Sequence, residues 1–300
     1  MFQKMTRALL LLMLVLMLGA IAMARPADAP VSTPNTTPTE ADVIRPDLPE
    51  ATPASTPSAT PSEAAIAPHL AGAGAGAMAA ALIDGADAAE ATGRLTGLKI
   101  GIDPGHQLHA NNAYEPIAPG SKHTKPKVSS GTQGVKTRAS EHAVNLQVSL
   151  KLKEALLAEG AEVLMTRETE DVDISNIERA VMMNEAGADL VLRIHCNGSE
   201  GPGAKGTELF VRKTGSRADE CDAAAQVLLK AMVEATGAKK RGVTHNDSYT
   251  GLNWSEVPSI LVEMGFMSNP AEDVLLSDPE YQDKLVSGMV EGIAEYFGRN

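Results

Sequence analysis

The feature that most restricts what this 300-residue chain can become is an alternation that starts at Leu95 and continues to the C-terminus. Short apolar runs of strand length trade places with segments whose apolar residues recur at helical spacing. Leu98-Lys-Ile-Gly-Ile-Asp103 is the first run, stopped by Pro104-Gly105. Ser140 suits the N-cap of a helix with the stripe Val144, Val148, Leu152, Ala155 and Leu156, closed by Gly160. Strand-like segments follow at Glu162–Arg167, Asp189–His195, Gly206–Arg212 and Pro258–Glu263. Helical ones fall between Ser175, where Ser175-Asn-Ile-Glu178 makes a capping box, and Gly187, and from Arg217 to Gly237. A last helix opens at Pro279, with Leu285, Met289, Ile293 and Phe297 on one face. Such alternation calls for right-handed crossovers and predicts a three-layer α/β domain, a mostly parallel twisted sheet with helices on both faces. The pattern does not fix strand order. Gln107 to Ala139, rich in Gly, Pro, Lys and Ser, reads as a long polar loop, and Lys239-Lys-Arg241 as a helix end followed by a turn.

The first third is built differently. Lys4 and Arg7 precede an apolar run from Ala8 to Ala24, and Ala22-Met23-Ala24 offers a small-x-small cleavage site. Residues 1–24 therefore read as a signal peptide or an uncleaved N-terminal anchor, and both send the rest of the chain out of the cytoplasm. Residues 25–93 repeat Thr, Ser, Ala and Pro and hold more than half of the 18 prolines. That composition buries too little apolar surface to offset chain entropy and predicts a disordered linker. The folded domain is expected over residues 94–300.

The formal net charge of −12 argues against nucleic acid, whose binding needs a concentrated basic face. Two cysteines, Cys196 and Cys221, are too few for a Cys-rich zinc site and read as free, half-buried thiols.

Ligands of open parallel sheets sit beyond the carboxyl ends of the strands. Three apolar runs deliver a polar residue to that edge: His106 one turn past its strand, His195 at a strand tip, and Glu263 at another. Glu141, in the first turn of the first helix, belongs to the same edge. Singly, each residue has an ordinary explanation, since His is often just a satisfied polar group and Glu at a helix start serves the macrodipole. Together they supply two histidines and a carboxylate, a ligand set of hydrolytic zinc sites that leaves a position for water, plus a second carboxylate to move the proton.

At these residues the chain resembles the zinc-dependent N-acetylmuramoyl-L-alanine amidases of bacterial cell-wall turnover. The likeness rests on Ile102-Asp-Pro-Gly-His106, Ser140-Glu-His-Ala-Val-Asn-Leu146, Arg193-Ile-His-Cys-Asn197 and Val262-Glu-Met-Gly-Phe-Met-Ser-Asn269, in this order, and spans about Leu95 to Phe297. It implies one Zn²⁺ per chain on His106, Glu141 and His195, with Glu263 as catalytic acid/base. It also implies peptidoglycan as substrate, cut at the amide between the lactyl group of N-acetylmuramic acid and the first L-alanine of the stem peptide. Gln107-Leu108 stands where many relatives carry Gly-Gly, and Cys196 where alanine is usual. A monomer is expected, touching a membrane only through residues 1–24 if these are retained.

Arg179 and Asn197 are candidates for a supporting or oxyanion-side role, and Trp254 for a wall of the substrate groove. His142 follows a ligand directly, so on a helix it points about 100° away from it. The basic stretch Lys122–Lys127 is a solvated loop or a contact for anionic groups. Two other functions compete with the amidase: a catalytically silent wall-binding protein, and a zinc peptidase cutting within the stem peptide.

Overall fold

The computed structural model describes residues 93–299. The expected signal or anchor and nearly all of the expected linker lie outside the described residues. Among those residues, no helix is long and apolar enough to cross a membrane.

The chain forms β1 (Lys99–Pro104), β2 (Asn111–Pro116), β3 (Thr124–Val128), α1 (Glu141–Ala158), β4 (Glu162–Met165), α2 (Asn176–Ala186) and β5 (Leu190–Asn197). Then follow β6 (Thr207–Val211), α3 (Ala218–Thr236), β7 (Lys240–His245), α4 (Thr250–Asn253), β8 (Ser259–Phe266), α5 (Pro270–Leu276) and α6 (Pro279–Tyr296). Six strands make the central sheet in the order β4-β1-β5-β8-β6-β7, and β2 pairs with β3 in a separate hairpin. Strands β4, β1, β5 and β8 are mutually parallel, whereas β6 runs antiparallel to β8 and β7 parallel to β6. The reversal follows from the link between β5 and β6. It has no helix, and a parallel return needs a crossover of a dozen or more residues. Helix α3 then supplies that crossover from β6 to β7.

The two faces of the sheet are unequal. Ile100, Ile102, Leu192, Ile194, Ile260 and Val262 point into the main core with Val148 and Leu152 of α1, Leu228 of α3 and Leu285 and Met289 of α6. The opposite face has only small apolar clusters, around Val191 with Met183 of α2 and around Leu261 with Leu252 of α4. By the period of two, Asp103, Arg193, His195 and Glu263 belong to this thinner face. The strand ends thus turn their chemistry toward the side with less cover.

Two expectations are corrected. The segment read as one polar loop contains the hairpin β2–β3, hidden because Asn-Asn-Ala-Tyr-Glu-Pro lacks apolar alternation. The stretch after α3 is the edge strand β7 rather than a turn; its exposed Lys240 and Arg241 carry no core signature and are a common protection for a sheet edge. Cys196 and Cys221 are free, as expected, but fully buried rather than half-buried. The Ser175–Glu178 capping box forms; Ser140 occupies the N-cap of α1, though its side chain makes no cap hydrogen bond.

Helices α3 and α6 cross closely because two glycines of α6 meet the backbone of α3. A Cβ on Gly288 would lie 2.7 Å from the Met232 Cα, and one on Gly292 would lie 2.8 Å from the Leu228 Cα. Gly288→Ala should therefore destabilise the domain by about 1–3 kcal/mol through overpacking. Denaturant unfolding should show a lower midpoint with unchanged slope; an unaltered midpoint would mean that the helices separate freely.

Candidate metal centre

The centre is assembled from three elements. Strand β1 ends in Asp103-Pro104, and the next two residues swing back so that Gly105 N–H donates to the Ile194 carbonyl of β5 at 2.8 Å. Gly105 has no room for a side chain, since a Cβ would sit 2.3–2.6 Å from the His195 ring. His106 then takes a left-handed backbone, φ 61°, a conformation that costs a non-glycine residue roughly 1–3 kcal/mol. It brings the ring over the strand ends instead of away from them.

Two buried arginines stabilise this turn. Arg179 of α2, 1% exposed, donates to the Pro104 carbonyl at 2.8 Å and to the His106 carbonyl at 3.0 Å. It also bonds the Asp103 carboxylate at 2.8 Å and the Gln107 side-chain oxygen at 3.2 Å. Arg167 donates to the carbonyls of Pro104, Gly105 and His142 at 2.9, 3.0 and 2.8 Å. Burial and then the neighbouring Arg179 push the Arg167 pKa down to about 10. Asp103 is the shared counter-charge, pairing with Arg179 and, at 3.1 Å, with Arg193, and accepting from the Thr166 hydroxyl at 2.6 Å. Burial alone would push its carboxyl up, but Arg193 and Arg179 more than reverse that and hold it well below the usual range.

His106 Nε2, Glu141 Oε1 and His195 Nδ1 meet at the centre. The first lies 3.1 Å from the second and 3.2 Å from the third, and the second and third are 3.3 Å apart. His106 Nδ1 is 3.0 Å from the Ser129 carbonyl, which can only accept. Nδ1 therefore donates to that carbonyl, which leaves Nε2 as the ring nitrogen turned toward Glu141 and His195. Burial would raise the Glu141 carboxyl, yet the adjacent His106 and His195 rings hold it well below its ordinary value, so it is ionised. Backbone N–H groups of Thr132 and Cys196 and the Asn145 amide steady it at 2.8, 3.1 and 3.2 Å. Burial pushes His195 toward its neutral form, and its Nε2 has no hydrogen-bond partner among the described residues. A carboxylate held in its ionised form and two imidazoles converging on each other are a donor set that a divalent cation accepts. Among the described residues this trio is the one group of three or more His, Cys, Asp or Glu able to hold a metal ion, with candidate ligand atoms all within 4.8 Å.

The sequence profile of N-acetylmuramoyl-L-alanine amidases matches residues 100–295, nearly the whole described domain. The chain belongs to the N-acetylmuramoyl-L-alanine amidase family. An amidase of that name from Mycobacterium tuberculosis, Rv3717, is 30% identical over 232 residues, covering 72% of this chain and 92% of the relative. The germination-specific amidase of Bacillus subtilis is 30% identical over 171 residues, 52% of this chain and 70% of the relative. Among solved structures, the Clostridium difficile 630 amidase superposes with a TM-score of 0.58 at 28% identity, covering 67% of this chain and 97% of that one. The amidase Ami1 of Mycobacterium smegmatis gives 0.63 at 25% identity, covering 69% and 99%. The function is accordingly that of a cell-wall amidase, on the mixed α/β fold of those structures.

In this amidase Glu263 stands on β8 directly beside His195 of β5, the two being register partners. Across β8, Glu208 of β6 also faces Glu263, but its carboxylate is taken by Arg241 at 2.8 Å and the Thr244 hydroxyl at 2.9 Å. Asn197 ends β5 beyond a register shift, and its carbonyl accepts from Met267 N–H at 2.9 Å. Trp254 caps α4, and its indole N–H donates to the Pro116 carbonyl of the hairpin at 2.9 Å. His142 is buried and paired with Glu170 at 3.1 Å, away from the trio, while His245 pairs with Asp222 at 3.0 Å. Arg167, Asn145, Ser129 and Gln107 escaped the sequence reading as supports. Only the isolated polar residue inside an apolar strand or helix stripe, as with Asn145, offered a signal.

Two outcomes follow for the arginine network. Arg179→Lys should weaken the affinity for an added divalent cation roughly 10- to 100-fold by loosening the His106 turn, with little change in secondary structure; competition with a chromophoric chelator measures it, and unchanged affinity would limit Arg179 to packing. Asp103, held below its ordinary 3.8, contributes stability that is complete above that pH and disappears as the pH falls through the lower folded value. The wild-type melting temperature should thus drop below about pH 4, and Asp103→Asn, less stable at pH 7, should show a shallower acid limb.

Proposed function

We propose that the protein is a zinc-dependent, extracytoplasmic hydrolase of peptidoglycan, cutting between the lactyl group of N-acetylmuramic acid and the L-alanine of the stem peptide. His106, Glu141 and His195 are its zinc ligands, one ion per chain, and Glu263 carries the proton. The observation that supports this most is the convergence of two imidazoles and a buried carboxylate from separate parts of the sheet edge in a chain of this family. Bound there, the ion would polarise the scissile carbonyl and lower the pKa of a water toward ~7.

Every other part of the reaction falls to side chains. Glu263 takes a proton from the attacking water and returns it to the alanine nitrogen, so that the amide and one water give a lactyl carboxylate and a free amine. Its place beside His195 suits that transfer, and Glu208, already committed to Arg241 and Thr244, does not compete for it. Asn145 links the two halves of the ligand set, since its amide reaches both the Glu141 carboxylate and, at 3.3 Å, the Gly105 carbonyl next to His106. Arg179 acts through the backbone of His106, not on substrate. Asn197 is assigned to the oxyanion side, and Trp254 to holding the hairpin that borders the groove.

In this reading residues 1–24 export the chain, residues 25–93 tether it, and residues 94–300 act as a monomeric catalytic domain. The test uses the purified full chain on insoluble peptidoglycan, with product masses recorded with chelator, with restored Zn²⁺ and with Glu263→Ala. Intact stem peptides with free L-alanine amino groups should appear only with metal. Glu263→Ala should lose about 10²–10⁴-fold in rate while still binding one zinc per chain. Shortened peptides would instead identify a peptidase, and full zinc loading without cleavage of any wall preparation would identify a silent binding protein.

A further inference from the structure

The chain is poor in aromatic side chains, with 4 Phe, 4 Tyr and 1 Trp. Among the described Phe, Tyr and Trp residues, Tyr114 alone is largely exposed, at 69%. It stands on β2 of the hairpin, opposite Pro126 of β3, and Pro126 and Thr124 are exposed as well. An exposed tyrosine on a loose loop would need no explanation, because apolar atoms are common on protein surfaces. This hairpin is not loose.

Its inner side is fastened along its whole length. Trp254 and Asn253 of the α4 region donate to the carbonyls of Pro116 and Ile117, both at 2.9 Å, near the turn. Lys125 donates to the Ser248 carbonyl at 3.0 Å. At the base, Asn176 donates to the Lys127 carbonyl at 2.8 Å, and Asn111 to Asp173 at 2.9 Å. Glu115, the neighbour of Tyr114, is buried and accepts from Ile177 N–H at the start of α2. With Glu115 turned inward, the strand alternation turns Tyr114 outward on a fixed support.

The support ends at the metal centre. Three residues after Pro126, one past the end of β3, the chain delivers Ser129, whose carbonyl and hydroxyl hold His106 at 3.0 and 2.9 Å. Three residues span at most about 10 Å, and neighbouring strands lie about 5 Å apart, which puts the Tyr114 backbone within roughly 15 Å of the His106 ring. That is the territory of the sugars that flank a muramoyl unit whose amide is being cut.

We propose that Tyr114 is a stacking platform for the glycan strand, receiving a pyranose ring next to the muramoyl residue at the centre; the proposal rests on the amidase reading above. Pyranose rings carry a face of C–H groups, which suits the electron-rich face of an aromatic ring. Pro126 extends the apolar surface, and Thr124 and Asn112, both exposed, offer partners to hydroxyl and acetamido groups. Because the hairpin is already ordered, little freedom is lost on binding. Tyr114 is thus a residue that selects polymeric substrate rather than one that takes part in bond cleavage.

The test compares the full-length, zinc-loaded wild type with Tyr114→Ala and Tyr114→Phe on two substrates. One is soluble polymeric glycan bearing stem peptides, and the other is a single N-acetylmuramoyl-peptide without neighbouring sugars. Tyr114→Ala should raise KM on the polymer about 3- to 10-fold at unchanged kcat, and leave the monomeric substrate unaffected. Tyr114→Phe should behave as wild type, since the ring face does the binding. Equal KM for wild type and Tyr114→Ala on the polymer, or the same loss on both substrates, would overturn the subsite while leaving the amidase intact. A wild type that releases stem peptides from neither substrate would bring down the amidase reading itself, and the subsite with it.

Discussion

The left-handed backbone of His106 is the constraint on which the rest of the centre depends. A histidine one turn beyond a parallel strand could point in many directions, and only this one brings Nε2 to within 3.1 Å of Glu141 and 3.2 Å of His195. The conformation is unfavourable by itself, so something must over-determine it. The carbonyls of Pro104, Gly105 and His106 are all held by guanidinium groups. A hydrogen bond to a charged group contributes about 1.5–3 kcal/mol, so these contacts outweigh the local strain.

Burying two arginines for this purpose creates its own difficulty. Each ion taken from water costs several kcal/mol unless its charge is answered. Asp103 answers Arg179 and Arg193 together, whereas Arg167 has carbonyl partners instead of a paired carboxylate, and its lowered pKa reflects that. Arginine suits both positions because its planar fork reaches several acceptors at fixed angles, where a lysine would satisfy fewer of them. The sheet explains the location of most of it: Asp103, Arg193 and Arg179 lie on the face with little apolar cover, while Arg167 reaches the first turn of α1 at the strand ends.

Much of this architecture could be read from the sequence, and the reasons differ by element. The parallel strands β1, β5 and β8 are buried on both sides and stand out as apolar runs, so His195 and Glu263 could be placed on their carboxyl-terminal halves; the strands run on past the expected tips, β5 to Asn197 and β8 to Phe266, because pairing continues beyond the polar residue that ends the apolar run. Glu141 was legible because the helix start was. The hairpin and β7 were not, since neither buries an apolar face: β2 is mostly exposed and β7 lies at the sheet edge. Strand order depends on contacts far apart in sequence. The reversal at β6 became interpretable only once the helix-free link from β5 was seen to span β8. The arginine network was equally hidden, because its acceptors are backbone carbonyls, which have no letter in a sequence.

The same distinction separates the two halves of the active region. The trio of His106, Glu141 and His195 is set by a strand, a helix start and a turn that two arginines hold, which makes it rigid. The hairpin is specified by side-chain-to-carbonyl bonds from Trp254, Asn253, Asn176 and Lys125, so many sequences could fill its outer face without disturbing the fold. A surface that is fixed in position and free in sequence is where substrate preference can vary at little cost to stability. Residues on that outer face, Tyr114 foremost, therefore bear on which wall polymers are cut, while Asp103, Arg167 and Arg179 bear on whether the centre forms at all.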